Sequence, residues 1–268
     1  MESAVTKFAN FIGKSADIEI PDTTLHSAKL IVADCLGAIV GGMAEPEIRM
    51  LAESKGENPF EILDSNKKAT DESISFLFGT AGTVLEMDEG HQFAKGHPGM
   101  HVFPALLAAA RNKGCSGEEF LRAFIIGYDV GARIGLASNL NPKMHPHGTW
   151  GGLGAAAGLA VLNKMNARDA REYLNIVSSL TLATSRKTML EGATVRNSYT
   201  GISNKMAHVG LMLLRAGFTG EQDGIKSIFE GVASNKFDDK SAVELLGKRF
   251  EVSRNYFKLH ACCRYNHA

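Results

Sequence analysis

Residues 86–101 of this chain combine three histidines, three carboxylates and a lysine within sixteen positions. A buried segment rarely contains so many ionisable groups, and a solvated loop uses Lys, Ser and Asn more often than clustered His. The same stretch includes three glycines and Pro98, which disfavour a regular helix. We therefore predict an irregular loop whose backbone comes close to a ligand.

The side chains of this loop are suited to three kinds of site. Asp88, His91, His97 and His101 are ordinary ligand types for zinc or iron, but their spacing matches no metal motif on one helix face. Histidines beside carboxylates also suit acid–base catalysis or anion binding. In a third interpretation they only form structural hydrogen bonds. The pattern favours acid–base catalysis or anion binding, and we assign no metal ligand.

A second unusual stretch, residues 139–150, contains His145 and His147 on either side of Pro146 and leads directly into a glycine-rich segment. A residue before proline is pushed towards extended geometry, so a loop is predicted. The free N–H groups at the start of the following helix, together with Thr149, would attract an anion, and an imidazole beside that anion is placed to move a proton. The alternative is that both histidines bond local carbonyl groups.

The elements that position these loops are predicted to be helices, because apolar residues recur at helical spacing and period-2 strands do not. Helices are predicted over residues 2–13, 22–41, 71–84, 103–111, 118–137, 151–162, 167–183, 203–216 and 223–229, with a short helix within 46–68 and one short strand in the final segment, 249–267. The fold class is therefore all-α, with residues 1–268 forming a single large multi-helix domain.

The helix predicted over residues 151–162 has a face almost without side chains. Gly151, Gly154, Ala155 and Gly158 share that face, so we expect it to pack against a neighbouring backbone. The spacing of Gly152 and Gly154 superficially matches a dinucleotide-binding fingerprint, but no apolar strand precedes it. We therefore predict no dinucleotide cofactor.

Composition narrows the functional classes. Lys plus Arg and Asp plus Glu number 29 each, so no basic face is available for nucleic acid. The four cysteines form no C-x-x-C pair, which is typical of a reducing compartment. The N-terminus has no signal-peptide pattern, and we see no apolar run approaching the roughly 18 residues of a membrane span. A cytoplasmic protein without nucleic-acid or membrane partners is predicted.

Three motifs resemble conserved segments of the MmgE/PrpD family: Glu86-Met-Asp-Glu-Gly-His91, Gly96-His-Pro-Gly99 and His145-Pro-His-Gly-Thr-Trp-Gly151. The resemblance continues, in family order, through residues 34–37, 192–197 and 258–264. It implies the helical domain of a cofactor-independent enzyme, usually a homodimer, that acts on small di- or tricarboxylates such as 2-methylcitrate. Dehydratase-type lyases, decarboxylases and epimerases all occur in the family.

Carrying the family's site over residue by residue implies a set of roles. The catalytic residues would be His97, His145, Asp88 and Lys258. The same carry-over implies that Glu86 and Arg196 bind substrate, and from the residue types alone we add His91, His147, Thr149 and Arg264 as substrate-binding residues. The implied reaction is proton abstraction at a carbon beside a carboxylate, followed by loss of water or reprotonation, with cations stabilising the enediolate.

One departure from the family is length. Family members continue past the segment matched by residues 258–264 into an α/β lid domain, whereas this sequence ends at residue 268. The resemblance therefore implies the N-terminal helical part alone, either as a fragment or with a separate chain supplying the lid. Two alternatives are a non-catalytic helical subunit that needs a partner chain and a metal-dependent hydrolase built on the histidine cluster.

Overall fold

The computed structural model describes residues 2–54 and 69–267, and α-helices form most of that part. The helices are α1 (Ala4–Gly13), α2 (Asp22–Gly42), α3 (Pro46–Glu53), α4 (Asp71–Val84), α5 (Pro98–Lys113), α6 (Gly117–Ala137), α7 (Gly151–Leu162), α8 (Ala167–Ser178), α9 (Arg186–Leu190), α10 (Ser198–Arg215), α11 (Gly224–Gly231) and α12 (Asp239–Val243). Four short strands form two antiparallel pairs: β1 (Gly90–His91) with β4 (Asn255–Tyr256), and β2 (Ser138–Leu140) with β3 (Ser234–Phe237). The predicted all-α class is confirmed.

Most predicted helices are present, with differences at their ends. Helix α8 ends at Ser178 instead of 183, and α10 begins at Ser198 instead of 203. The short strand predicted in the final segment is present as β4 at Asn255–Tyr256, and it is preceded by a short 3-10 helix over Glu251–Arg254. The helix predicted within 46–68 is α3, and the remainder of that prediction lies at 55–68, outside the described residues.

The irregular loop of the histidine-rich segment is shorter than predicted. It ends at His97, and helix α5 begins at Pro98. Proline is well tolerated in the first turn of a helix, because the N–H that it lacks has no partner there. His101 therefore projects from α5, while His97 occupies the N-cap position that begins it.

The glycine face of α7 packs against the backbone of α6, as predicted. A Cβ added at Gly127 would lie 2.7 Å from the carbonyl oxygen of Gly154, and one at Gly154 would lie 3.2 Å from Cα of Gly131. Such close approach is available only without side chains. The contact fixes the start of α7, where the fully buried Trp150 follows the loop that holds His145.

Helix α2 corrects the expectation that no apolar run approaches the length of a membrane span. It has 21 residues and a mean hydropathy of 1.3 in its most apolar window, so its length and composition alone are sufficient. Core helices meet the same criterion. In this structure Ala28, Ile31 and Cys35 of α2 are fully buried, and α2 packs against α4.

Glu89 anchors the histidine loop to three helices. Its Oε1 accepts a hydrogen bond from the backbone N–H of Gly99 in α5 at 2.6 Å, and its Oε2 accepts one from the Tyr128 hydroxyl in α6 at 3.0 Å. Its own N–H donates to Asp34 of α2 at 2.9 Å. Burial raises the pKa of Glu89 to about 8, outweighing the two hydrogen bonds that lower it. The side chain is therefore mostly protonated at neutral pH.

Glu251 provides a second anchor between the loop and the C-terminal segment. Its fully buried carboxylate lies 3.2 Å from Nε2 of His91 and accepts from Arg249 at 3.0 Å and Arg254 at 2.9 Å. Burial raises the pKa of Glu251. The hydrogen bonds from His91 and Arg249 and the charges of nearby arginines outweigh that effect, and the pKa falls to about 2.

Gly127→Ala should destabilise the protein, because the new methyl group would overlap the backbone of α7. Overpacking of this kind costs about 1–3 kcal/mol in the free energy of unfolding. The matched control is Gly37→Ala in α2, where an added Cβ has no neighbour within 4 Å among the described residues. Higher helix propensity should stabilise that variant by up to about 1 kcal/mol. Urea unfolding of both variants measures the difference, and equal effects would contradict the packing.

Glu89→Gln should change how stability depends on pH. The pKa of Glu89 is about 8 in the folded protein, against a reference value of 4.5, so between these pH values the native state holds a proton that the unfolded chain has released. The free energy of unfolding of the wild type therefore falls as pH rises from about 4.5 to about 8 for this reason. The variant lacks this contribution.

Urea unfolding at pH 5 and pH 8 tests this expectation. The variant should gain stability relative to the wild type between these pH values. The exposed Glu118→Gln serves as the control and should follow the wild type at both. A wild-type-to-Glu89→Gln difference that is the same at both pH values would contradict the buried, protonated state of Glu89.

Candidate functional site

A pocket of about 850 Å³ lies where the two histidine-containing loops meet. Its walls come from Gly135 of α6 and from four further segments of the chain: residues 86–97, 138–147, 186–196 and 256–265. The helices fix each segment at one end, since α5 follows the first, α6 precedes the second, α10 follows the third and the anchored Glu251 precedes the fourth.

The pocket brings together seven of the ten residues predicted for the site. The residues on its wall are Glu86, His91, His97, His145, His147, Arg196 and Arg264. The other three, Asp88, Thr149 and Lys258, do not line it. Asp88 and Lys258 lie immediately behind the wall, where they contact residues of the histidine loop (86–97), also called the acidic loop below.

His97 is held from behind by its own loop. Its Nδ1 lies 2.5 Å from the carbonyl oxygen of Glu89 and 3.2 Å from Oδ2 of Asp88. Burial lowers the pKa of His97, and the neighbouring Asp88 carboxylate acts in the opposite direction. The ring is therefore neutral at neutral pH and has a carboxylate beside it to stabilise a proton that it gains.

His145 is fixed by its backbone and by the next histidine. The N–H of His145 donates to the carbonyl oxygen of Thr184 at 3.0 Å, and the Thr184 hydroxyl donates back to the carbonyl oxygen of His145 at 2.7 Å. The N–H of His147 donates to Nδ1 of His145 at 3.1 Å. Burial lowers the pKa of His145 to about 4, and the positive charge of Arg186 acts in the same direction.

The ring of His147 lies between three other imidazoles. It packs edge-to-face against His97, His101 and His145, with centroid separations of 4.8, 5.1 and 4.5 Å. Burial lowers its pKa well below the usual value. Within residues 2–54 and 69–267, no group of three or more His, Cys, Asp or Glu side chains has an arrangement that could hold a metal ion.

Lys258 does not line the pocket, and its catalytic role stays a prediction. Its Nζ donates to the carbonyl oxygen of Glu86 at 2.9 Å and lies 3.4 Å from the carboxylates of both Glu86 and Asp88. The side chain is buried. This ammonium group therefore holds the acidic loop, whereas Arg196, which also contacts the Glu86 carboxylate, lines the pocket.

Two predicted substrate-binding residues have internal partners instead. Thr149 is 1% exposed, and its hydroxyl donates to the carbonyl oxygen of Pro146 at 2.5 Å, so it closes a turn before α7. His91 lines the pocket, but Ala94 N–H donates to its Nδ1 at 3.0 Å and its Nε2 faces Glu251. Both nitrogens of His91 thus serve the loop.

The sequence interpretation missed several wall residues, of which Arg186 and Tyr256 matter most. Arg186 begins the short helix α9, and its backbone N–H donates to Lys143 in the second loop at 2.8 Å. Tyr256 pairs with Gly90 in the small sheet, and a Cβ at Gly90 would collide with its hydroxyl. For Arg186, the one local signal is Ser185, which can cap a helix that begins at the next residue. For Tyr256 no local signal exists, because its partner Gly90 is distant in the sequence.

Comparison with known proteins identifies the family of the chain. Residues 6–242 match the MmgE/PrpD N-terminal domain. The chain is 22% identical to the cis-aconitate decarboxylase-like protein oryM of Aspergillus oryzae, over 97% of this chain and 58% of that protein. It is also 22% identical to the cis-aconitate decarboxylase of Aspergillus terreus, over 99% of this chain and 59% of that protein. The chain thus spans under two thirds of these relatives, and it belongs to the MmgE/PrpD family.

Proposed function

We propose that this pocket binds a small di- or tricarboxylate and that the protein takes part in a cofactor-independent lyase or isomerase reaction on that compound. The reaction would begin with proton abstraction at a carbon beside a carboxylate. Dehydration, as for 2-methylcitrate, and epimerisation pass through the anion formed in this way, whereas decarboxylation forms a similar anion by loss of CO2 and then protonates it. The similarity to cis-aconitate decarboxylases supports this class of substrate.

The observation that carries the proposal is the pairing of neutral histidines with guanidinium groups on one pocket wall. Arg186, Arg196 and Arg264 line the pocket together with His97 and His145. Arginine presents a planar fork of donors that matches a carboxylate, and it stays charged at every relevant pH. The side chain of Arg196 is 10% exposed, so a carboxylate beside it is largely removed from water.

The chemistry asks for a base that is unprotonated at neutral pH and for donors that stabilise an enediolate. His97 meets the first requirement, because burial lowers its pKa and Asp88 stands behind it to stabilise the imidazolium. The arginines and His145 meet the second. Lys258 would act indirectly, by holding Glu86 and Asp88 in place.

Tricarboxylates should raise the melting temperature of the purified chain. Ligand that binds only the native state adds about 2.7 kcal/mol at a hundredfold excess over Kd, which is a shift of several degrees for a protein of this size. We expect citrate, tricarballylate and cis-aconitate to give such shifts, with or without a chelator, and acetate at equal concentration to give none. Thermal-shift measurement with each compound tests this.

A matched pair of variants places the effect in the pocket. Arg186→Gln should weaken tricarboxylate binding by about tenfold, as expected from the loss of one charged hydrogen-bond donor. Lys187→Gln changes the next residue, which pairs with Glu191 and does not line the pocket, and should bind like the wild type. No carboxylate shift in the wild type, or equal weakening in both variants, would contradict the proposed function and favour a non-catalytic helical subunit.

A further inference from the structure

We infer that the two pocket histidines have different chemical roles, set by the backbone groups bonded to their Nδ1 atoms. His97 is the base and takes the substrate proton on Nε2. His145 is a neutral hydrogen-bond donor, through Nε2–H, to the oxygen on which negative charge develops. This assignment rests on the proposed function and specifies which atom of each ring acts.

The role of His97 follows from what its Nδ1 faces. That atom lies 2.5 Å from a carbonyl oxygen, of Glu89, and 3.2 Å from a carboxylate oxygen, of Asp88. Both groups only accept hydrogen bonds, so Nδ1 must carry the proton. A neutral imidazole has one proton, and the Nε2 lone pair of His97 is therefore free to act as a base. The pocket wall includes this ring.

The role of His145 follows from the opposite arrangement. Its Nδ1 receives the backbone N–H of His147 at 3.1 Å, and a backbone N–H can only donate. Nδ1 of His145 is therefore the unprotonated nitrogen, and Nε2 carries the proton. The positive charge of Arg186 opposes a second proton on this ring. His145 thus presents a donor where His97 presents an acceptor.

The difference decides how the proton-abstraction step runs. The C–H bond beside the carboxylate breaks, its proton forms a new N–H bond at Nε2 of His97, and the electron pair moves into the carboxylate as an enediolate. His97 becomes an imidazolium ion that Asp88 stabilises from the Nδ1 side. His145 keeps its proton and donates a hydrogen bond to the enediolate oxygen, as neutral imidazole does in other enzymes. Atoms and charge balance without any further reactant.

Neighbouring contacts hold both rings in these states. The carbonyl oxygen of His97 lies 2.8 Å from Nδ1 of His101, which fixes the turn that carries His97. The ring of His147 stands edge-on between the two catalytic rings and separates them with a neutral group. Rotation of either ring by 180° would break the bonds at Nδ1, so each tautomer is determined by the fold.

Long-range proton–nitrogen NMR of the full chain, labelled with ¹⁵N in histidine, tests the assignment at pH 7. His97→Gln and His145→Gln identify the two signals by their disappearance, and the corresponding Asn variants give a second assignment if either Gln variant misfolds. We expect protonated Nδ1 and bare Nε2 in His97, and the reverse in His145. The opposite tautomer in either ring, or a charged ring, would overturn the proposal.

Adding tricarballylate to the same sample separates this proposal from the proposed function. If the ligand perturbs both rings but a tautomer is reversed, the role assignment fails and the proposed function stands. If both tautomers are as expected and neither ring responds to ligand, the proposed function fails, and the roles fail with it.

Hydrogen–deuterium exchange of citrate, at its CH2 carbons beside the carboxylates, gives a second readout of the roles. His97→Gln and His97→Asn should both lower the exchange rate by about a hundredfold or more, because neither amide is a base. Glutamine places an amide nitrogen near the position of Nε2, so His145→Gln should retain clearly more exchange than His145→Asn. Equal loss in the two His145 variants would overturn the donor role.

Discussion

The site depends on one buried ionic contact, that of the Lys258 ammonium group with the acidic loop. Lys258 binds the Glu86 carbonyl oxygen and lies 3.4 Å from the carboxylates of Glu86 and Asp88. A buried charge is stable only when it is paired and hydrogen-bonded, so neither the lysine nor the carboxylates can leave without exposing the others. The C-terminal segment and the loop are held together as one wall, and Asp88 is held beside His97.

The rest of the pocket separates fixed charge from neutral imidazoles. His145 and His147 are buried and His97 is partly buried, and this burial lowers their pKa values, so at neutral pH they act as hydrogen-bonding groups instead of cations. The positive charge on the wall comes from Lys95 and from three arginines, whose guanidinium groups remain protonated. In the proposed function, a dianionic or trianionic ligand meets permanent cations, while His97 acts as the base.

The packing of α6 against α7 gives this chemistry a rigid frame. Without side chains at Gly127 and Gly154, the two helices approach within backbone contact, and the loop that carries His145 enters α7 through the buried Trp150. Small residues at such an interface leave few alternative packings. The orientation of His145 relative to α5 and its His97 N-cap is therefore a consequence of the core.

The sequence predicted the parts of this structure that have local signals. Helical periodicity located α2 and α6 with nearly correct ends, and the glycine face of α7 predicted its close packing. Helices α9 and α12 were missed because five residues are too short for a periodic pattern. The sequence pattern predicts Pro98 in a loop, because proline disfavours a helix interior, whereas in the structure Pro98 is the first residue of α5.

For the site, residue types and family resemblance identified His97, His145 and Arg196 as members of the wall. They did not show that Lys258 points into the loop, since burial and partners depend on contacts across 172 residues of sequence separation. Arg186 escaped notice for the same reason. Its place beside His145 results from pairing between two loops, which no single stretch of sequence records.

A crystal structure of the chain with tricarballylate, an unreactive tricarboxylate, tests the central claim most directly. We expect the ligand to lie inside the pocket, with a carboxylate bound to Arg186 or Arg264 and a hydrogen-bearing carbon about 3–3.5 Å from Nε2 of His97. A ligand bound outside the pocket, or bound within it with no carbon near His97, would contradict the account.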